Sequence, residues 1–232
     1  MMKGFAMSRL ILIVSLVFGL FLGAVPPGAH AEGYLTMPLP ELTQSAEAGD
    51  TPAQFLLGLR YGTGDGVPLD YQQSAYWFRK AAEQGLSPAQ YLLGGQYEKG
   101  QGVPQDYEQA ANWYRKAAKQ GYVEAQSNLG HMYFNGQGVP RDFVLAYALF
   151  TIVLGDDGRE DTSDSIPYSP RLQLLALANL GPVFEQVWQS RKLAVQQMTP
   201  EQIEEGRAIA NQWKVKQPFP TESRTGRMNP SQ

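Results

Sequence analysis

Between Pro88 and Lys99 the apolar residues Ala89, Leu92, Leu93 and Tyr97 fall on one side at helical spacing. Between Asp106 and Gly121, Ala110, Trp113, Tyr114, Ala117 and Ala118 trace a second stripe at intervals of three and four. The spacing predicts two amphipathic helices. Pro88 suits the first turn of the first one, where its missing amide hydrogen leaves no bond unmade. Gly100-Gln101-Gly102 ends that helix, because glycine takes the left-handed backbone conformation without a Cβ penalty, and Pro104 prevents its continuation. Asp106 then offers a carboxylate to the free amides of the second helix. Gln109, three residues on, completes a capping-box pattern that Asp70 and Gln73 repeat. The pair reads as a helix hairpin closed by Gly121. Gly94, Ala117 and Ala118 lie where backbones approach, and Trp113 and Tyr114 fill the space beside them. Burying an aromatic of that size is worth roughly 2 to 3 kcal/mol, so Trp77 and Trp113 are expected to dominate their layers.

The hairpin recurs. Ala53-Gln54-Phe55-Leu56-Leu57-Gly58 returns as Ala89-Gln90-Tyr91-Leu92-Leu93-Gly94 and as Ala125-Gln126-Ser127-Asn128-Leu129-Gly130, each copy 36 residues after the last. Gly64-Asp65-Gly66-Val67-Pro68 recurs in the same register as Gly100-Gln101-Gly102-Val103-Pro104 and Gly136-Gln137-Gly138-Val139-Pro140. Asp70-Tyr71, Asp106-Tyr107 and Asp142-Phe143 keep the same beat. A fixed period of this length means an all-α stacked array whose units fold against their neighbours.

The pattern Ala53, Leu57-Gly58, Tyr61, Gly64, Gly66-Val67, Asp70, Ser74, Trp77, Ala81-Ala82, Gly85 closely resembles the Sel1-like repeat, a relative of the tetratricopeptide repeat. The next copy matches more fully, with Ala110 in place of Ser74. The resemblance spans about residues 41 to 154 and implies a right-handed α/α superhelix, a solenoid. Caps, turns and core contacts already account for the matching residues, so the resemblance adds no chemistry.

Both ends of the array depart from the pattern. Leu42 to Gly49, with Ala46 and Gly49 in register with Ala82 and Gly85, reads as the second helix of an incomplete first unit that caps the array. In the third unit Leu149 replaces the tryptophan and Val153-Leu154 replaces the alanine pair, so something different is expected to pack there. Asp156 to Pro170, rich in Asp, Ser and Pro, reads as a loop. Leu172, Leu174, Leu175, Leu177 and Leu180 follow, then a Gly181-Pro182 break and a helix carrying Phe184, Val187, Trp188, Val195 and Met198. Thr199, Pro200 and Glu201 open a last helix with Ile203, Ala210 and Trp213. These helices are expected to form a C-terminal helical cap. From Gln217 onward no apolar periodicity remains, which predicts a disordered tail.

Ahead of the array, Lys3 and Arg9 precede an apolar run from Leu10 to Val25, followed by Pro26-Pro27-Gly28 and Ala29-His30-Ala31. This reads as a secretory signal peptide cleaved after Ala31, a membrane anchor being the alternative. The expected organisation is thus a signal peptide at 1–31 and a repeat array at 32–154. The array holds a partial unit at 38–49 and full units at about 50–85, 86–121 and 122–155. A loop at 156–170, capping helices at 171–214 and a disordered tail at 215–232 complete it. Export places the protein in the periplasm.

Composition narrows the chemistry. The chain has no cysteine, which removes disulfides, thiol nucleophiles, thiolate metal sites and lipidation of a cysteine. Loss of Lys3 and Arg9 with the leader takes the formal net charge from −3 to −5. An acidic balance argues against nucleic acid, whose binding needs clustered Lys and Arg. His131 is the one histidine beyond the leader, so Ser-His-Asp triads and histidine metal sites are not expected. Gly62-x-Gly64-x-Gly66 follows no predicted strand and precedes no Lys-Ser/Thr, so it is no phosphate loop. Ser-x-x-Lys, the nucleophile motif of penicillin-interacting enzymes, is absent. Glu204-Glu205 sits on a polar helix face. No catalytic, metal or cofactor site is therefore expected, and the chain reads as no enzyme.

By analogy with tetratricopeptide repeats, a groove would be lined by residues flanking the Leu-Gly-x-x-Tyr core. These are Phe55, Leu59 and Thr63 in the first unit, Tyr91, Glu98 and Lys99 in the second, and Asn128, His131, Phe134 and Asn135 in the third. Aromatic area with amides and a few charges suits a peptide. The alternative is that Phe55 and Phe134 pack against the caps. The resemblance implies a non-catalytic periplasmic adaptor that binds a protein or peptide of the cell envelope and has no membrane contact after cleavage. The rival is an enzyme acting on peptidoglycan or a glycan-binding protein, with Trp188 and Trp213 as sugar-stacking candidates. No pair of carboxylates is placed for glycoside hydrolysis.

Overall fold

The short-range signals for helix starts and stops translate directly into architecture. The computed structural model describes residues 33, 34, 36–155, 181–213, 220 and 223. The leader with its cleavage site, the 156–170 loop, the leucine-rich stretch to Leu180 and all but two residues of the tail lie outside the described residues. Nine helices and no strand occur among the described residues. These residues fall into two compact units that divide between Gln105 and Asp106, inside the middle repeat.

The first unit holds α1 (Leu39–Glu47), α2 (Thr51–Thr63), α3 (Tyr71–Glu83) and α4 (Ser87–Lys99), each packed on the next. Leu42 and Ala46 of α1 are fully buried with Ala53, Leu56, Leu57 and Trp77. Helix α1 thus covers the apolar residues that α2 and Trp77 present. Close approach is secured by a missing side chain: a Cβ on Gly58 of α2 would lie 2.6 Å from the Phe78 ring of α3. Phe55 stacks on the same ring, with centroids 5.8 Å apart.

Helix ends follow the expected chemistry. Asp70 Oδ1 accepts from the amides of Gln72 and Gln73 at 2.9 and 3.0 Å. In the second unit, Asp106 and Asp142 cap the helices Tyr107–Lys119 and Phe143–Leu154 in the same way, accepting from Gln109 and Leu145 at 3.0 Å. One expectation is corrected. The reciprocal glutamine bond of the capping box is formed at Thr199–Gln202 rather than at Asp70 and Asp106. A second bonding pattern links the first helix of each repeat to the helix before it. Buried Gln54, Gln90 and Gln126 each donate to a carbonyl eight residues back, that of Ala46, Ala82 and Ala118, at 3.0, 3.0 and 3.2 Å. Each of these carbonyls also accepts a backbone amide, from Gly49, Gly85 and Gly121, so the glutamine adds a second bond that ties its helix to the last turn of the preceding one.

The second unit holds α5 (Tyr107–Lys119), α6 (Val123–Asn135), α7 (Phe143–Leu154), α8 (Gly181–Val195) and α9 (Pro200–Gln212). Residues Val144 to Thr151, Val153 and Leu154 of α7 are all buried. A helix apolar on every side must be surrounded, and α7 is packed by α6, α8 and α9. The loss of the tryptophan and the alanine pair from the third repeat is thereby explained: the C-terminal helices pack there. Their buried faces differ from the expected stripes. In α8, Arg191 and Ala194 join Phe184, Val187 and Trp188 in the interior, while Val195 and Met198 are half-buried. In α9 the buried residues are Gln202 and Gly206, not Ile203 and Ala210. A Cβ on Gly206 would lie 2.7 Å from the Tyr147 ring, so this glycine admits the tyrosine.

Candidate partner-binding surfaces

In the first unit, α2 and α4 carry the candidates. Phe55 is 1% exposed and belongs to the core beside Phe78, which corrects its expected groove role. Leu59 is half-buried against the cluster that Tyr34, Met37, Leu39 and Tyr61 complete around Leu42 and Trp77. Its side chain therefore helps bury the segment ahead of α1. Tyr34 strengthens that segment: its hydroxyl donates to Asp50 Oδ2 at 3.0 Å, while Asp50 Oδ1 caps α2 through the Ala53 amide at 2.8 Å. Burial, and then the bond to Asp50 and its charge, push the Tyr34 phenol up to about 12. Tyr91 and Glu98 on α4 are half-buried and Lys99 is exposed. The Glu98 carbonyl accepts from Gln105 Nε2 at 2.8 Å.

In the second unit the candidates lie on α6. The imidazole of His131 is turned into the seam with α8. Its Nδ1 donates to the Ser127 carbonyl at 2.9 Å, so in the neutral ring Nε2 accepts from the Ser190 hydroxyl at 2.9 Å. The ring also lies 5.0 Å from that of Phe150. Phe134 is half-buried and meets Phe143 edge-on, with centroids 5.3 Å apart and planes at 70°. Asn128 is half-buried. Asn135 is exposed and donates to Gln137 Oε1 at 3.3 Å. Part of the α6 face is thus occupied by the chain's own α8. Glu124, in the first turn of α6, has its carboxyl held above the usual range by burial, partly offset by a backbone hydrogen bond.

Other exposed features carried no motif in the sequence. Leu69 is 55% and Tyr76 49% exposed, and Leu193 is likewise open. Tyr76 meets the Trp77 ring edge-on at 4.9 Å, under the Lys80 ammonium at 5.2 Å. On α5, Lys116 Nζ sits 3.7 Å from the centre of the Trp113 ring, between Arg115 and Lys119. The signal for Leu69 and Tyr76 was their size at positions outside the helical stripe, a signal that the repeat pattern obscured. Trp188, named as a sugar-stacking candidate, is 1% exposed and cannot present its ring to a glycan. Trp213 ends α9, half-buried, its amide donating to the Ile209 carbonyl at 2.9 Å. Among the described residues no cluster of three or more His, Asp or Glu side chains could hold a metal. No described helix is long and apolar enough to cross a membrane.

The model of the Sel1 repeat matches residues 51–86, 87–122 and 123–152. No curated protein matches the chain significantly. Among solved structures, a Sel1 repeat protein from Oxalobacter formigenes is 40% identical over 51% of this chain and 91% of its own, with a TM-score of 0.46. A protective antigen of uropathogenic Escherichia coli that displays an SLR fold is 25% identical over 87% of this chain and 44% of its own, with a TM-score of 0.49. Cysteine-rich protein B of Helicobacter pylori is 23% identical over 53% and 94% of the two chains, with a TM-score of 0.41. Sel1 repeats typically serve protein–protein interaction. With three consecutive matched segments in one register, glycine turns and aspartate caps at the repeated positions, and 40% identity over 91% of a Sel1 repeat protein, the chain belongs to the Sel1 repeat family.

Proposed function

We propose that this protein is a non-catalytic, periplasmic binding module that holds a protein or peptide partner in an envelope process. One observation carries the reading: the recurring residues are consumed by architecture. Ala53, Ala89 and Ala125 are fully buried, the recurring aspartates cap helices, and the recurring glutamines bond to the last turn of the preceding helix. What varies from unit to unit is the exposed and half-exposed surface, which suits recognition rather than shared chemistry. Export rests on the leader, the apolar run and Ala29-x-Ala31.

In the first unit Tyr91, Glu98 and Lys99 of α4 are the residues best placed to meet a partner. In the second, Asn128 and Asn135 remain on α6 beside the seam that His131 forms. The test is quantitative capture from an envelope extract with wild type and with the double variant Tyr91→Ala, Lys99→Glu, alongside binding to purified peptidoglycan. Selective loss of a captured protein from the variant supports the reading. Equal retention of both proteins on peptidoglycan, with no protein lost, overturns it in favour of glycan binding. Mass spectrometry of the exported protein is expected to place its N-terminus at Glu32, and a retained leader would make it membrane-anchored.

A further inference from the structure

Three aspartates occupy the same place in successive repeats, yet one of them is in a different situation. Asp70 and Asp106 are partly exposed, and each uses Oδ1 to cap its helix. Asp142 is 4% exposed. Its Oδ1 caps α7 through the Leu145 amide, and its Oδ2 accepts two further bonds from a residue 81 positions away: the Ser223 amide at 3.1 Å and the Ser223 hydroxyl at 2.7 Å. Ser223 is itself 8% exposed, within the stretch whose composition predicts disorder. A buried carboxylate requires such donors, since an unbonded charge in the interior is strongly unfavourable. The chain does something similar at its other end, where the second oxygen of the cap residue Asp50 is taken by Tyr34.

We propose that the start of α7 is a binding site for an extended segment that presents a serine or threonine hydroxyl together with its own amide, and that its resident occupant is this chain's C-terminal segment at Ser223. The site differs from an ordinary helix cap because the cap needs only Oδ1, as Asp70 and Asp106 demonstrate. The second oxygen is the recognition element. Its two donors come from one residue, so recognition needs a backbone amide free of secondary structure and a hydroxyl on the same residue. Alanine or an acidic residue at 223 lacks that pair. A peptide of the same chemistry would have to displace Ser223 against the advantage of tethering.

The sequence supplies a readout, because Arg224 follows Ser223 directly. Trypsin can cut after Arg224 only when Ser223 lies in its cleft, whereas cutting after Arg227 does not engage Ser223. The rate at Arg224 relative to Arg227, followed by mass spectrometry on the full chain under native conditions, therefore reports release of Ser223. Asp142→Asn keeps an oxygen for the Leu145 amide but turns a donor toward Ser223, and is expected to raise the ratio about tenfold or more. Asp106→Asn, the matching cap in the preceding repeat, is expected to leave it unchanged. Ser223→Asp leaves the cap of α7 untouched and faces Asp142 with a like charge, so it decides the matter even if Asp142→Asn fails to fold. An unchanged ratio in Ser223→Asp overturns the proposal. A wild-type ratio that falls as protein concentration rises would give the serine to a second copy and overturn the intrachain assignment. With the site vacated in Ser223→Asp, a fluorescent peptide of residues 218–232 is expected to bind more tightly than to wild type, and equal binding to both would equally count against the site.

Discussion

The backbone carbonyl of Tyr71, at the start of α3, occupies the place where a side chain on Gly102 would begin. The first-unit turn after α4 therefore rests directly on the first turn of the preceding helix, and the same relationship joins Gly138 to Tyr107 in the second unit. Gly102 also has φ of +74°, so two requirements coincide at one residue. Gly66 has φ of +73° but open space around its Cβ position. Gly102→Val is expected to lose more than about 3 kcal/mol, Gly66→Ala about 1 kcal/mol, and Gln101→Val less than about 0.5 kcal/mol. Denaturant unfolding of the three variants measures this, and equal losses at 66 and 102 would remove the backbone contact from the account.

Trp113 is 7% exposed on α5, with the Lys116 ammonium against its face. Trp113→Ala is expected to lose about 3 to 5 kcal/mol, since the cavity cannot collapse among neighbouring alanines. Lys116→Met tests the smaller contribution and is expected to change stability by about 0.5 to 1 kcal/mol. A loss below about 1 kcal/mol for Trp113→Ala would place the indole outside the core.

Tyr34 gives the fold an alkaline limit. Its phenol is raised from 10.0 to about 12 in the folded state, so the stabilisation is fully present below pH 10 and disappears as the pH rises through 12. Absorbance titration of the tyrosines is expected to show a late-ionising group that Tyr34→Phe removes. The same substitution is expected to flatten the fall of melting temperature between pH 10 and 12.

Glu124 is raised by burial, so the fold favours its protonated form. The associated stability is complete below about pH 4.5 and is lost as the pH rises through the folded value. Glu124→Gln is therefore expected to be neutral or to gain up to about 1 kcal/mol at pH 7, despite the favourable place of an acid in a first helical turn. A destabilisation beyond about 1 kcal/mol, measured at neutral pH, would contradict the direction.

The sequence by itself determined the hairpins. Periodicity at three and four residues, the aspartate caps, the left-handed glycines and the 36-residue register all act over a few residues or repeat exactly in step, so pattern alone exposes them. It also indicated that something other than a fourth repeat packs on Leu149 and Val153-Leu154. Only the tertiary structure decided what that is and what remains for a partner. Arg191 enters the interior, and the buried side of α9 is set by Gly206 against Tyr147 rather than by its apolar residues. His131 finds Ser190 across 59 residues, and Asp142 finds Ser223 across 81. These pairings have no short-range signature, because they depend on how completed helices dock. A residue such as His131, at a position expected to face a partner, thus faces the chain's own helix instead. The repeat identifies the scaffold, while long-range docking selects the surfaces that scaffold leaves open.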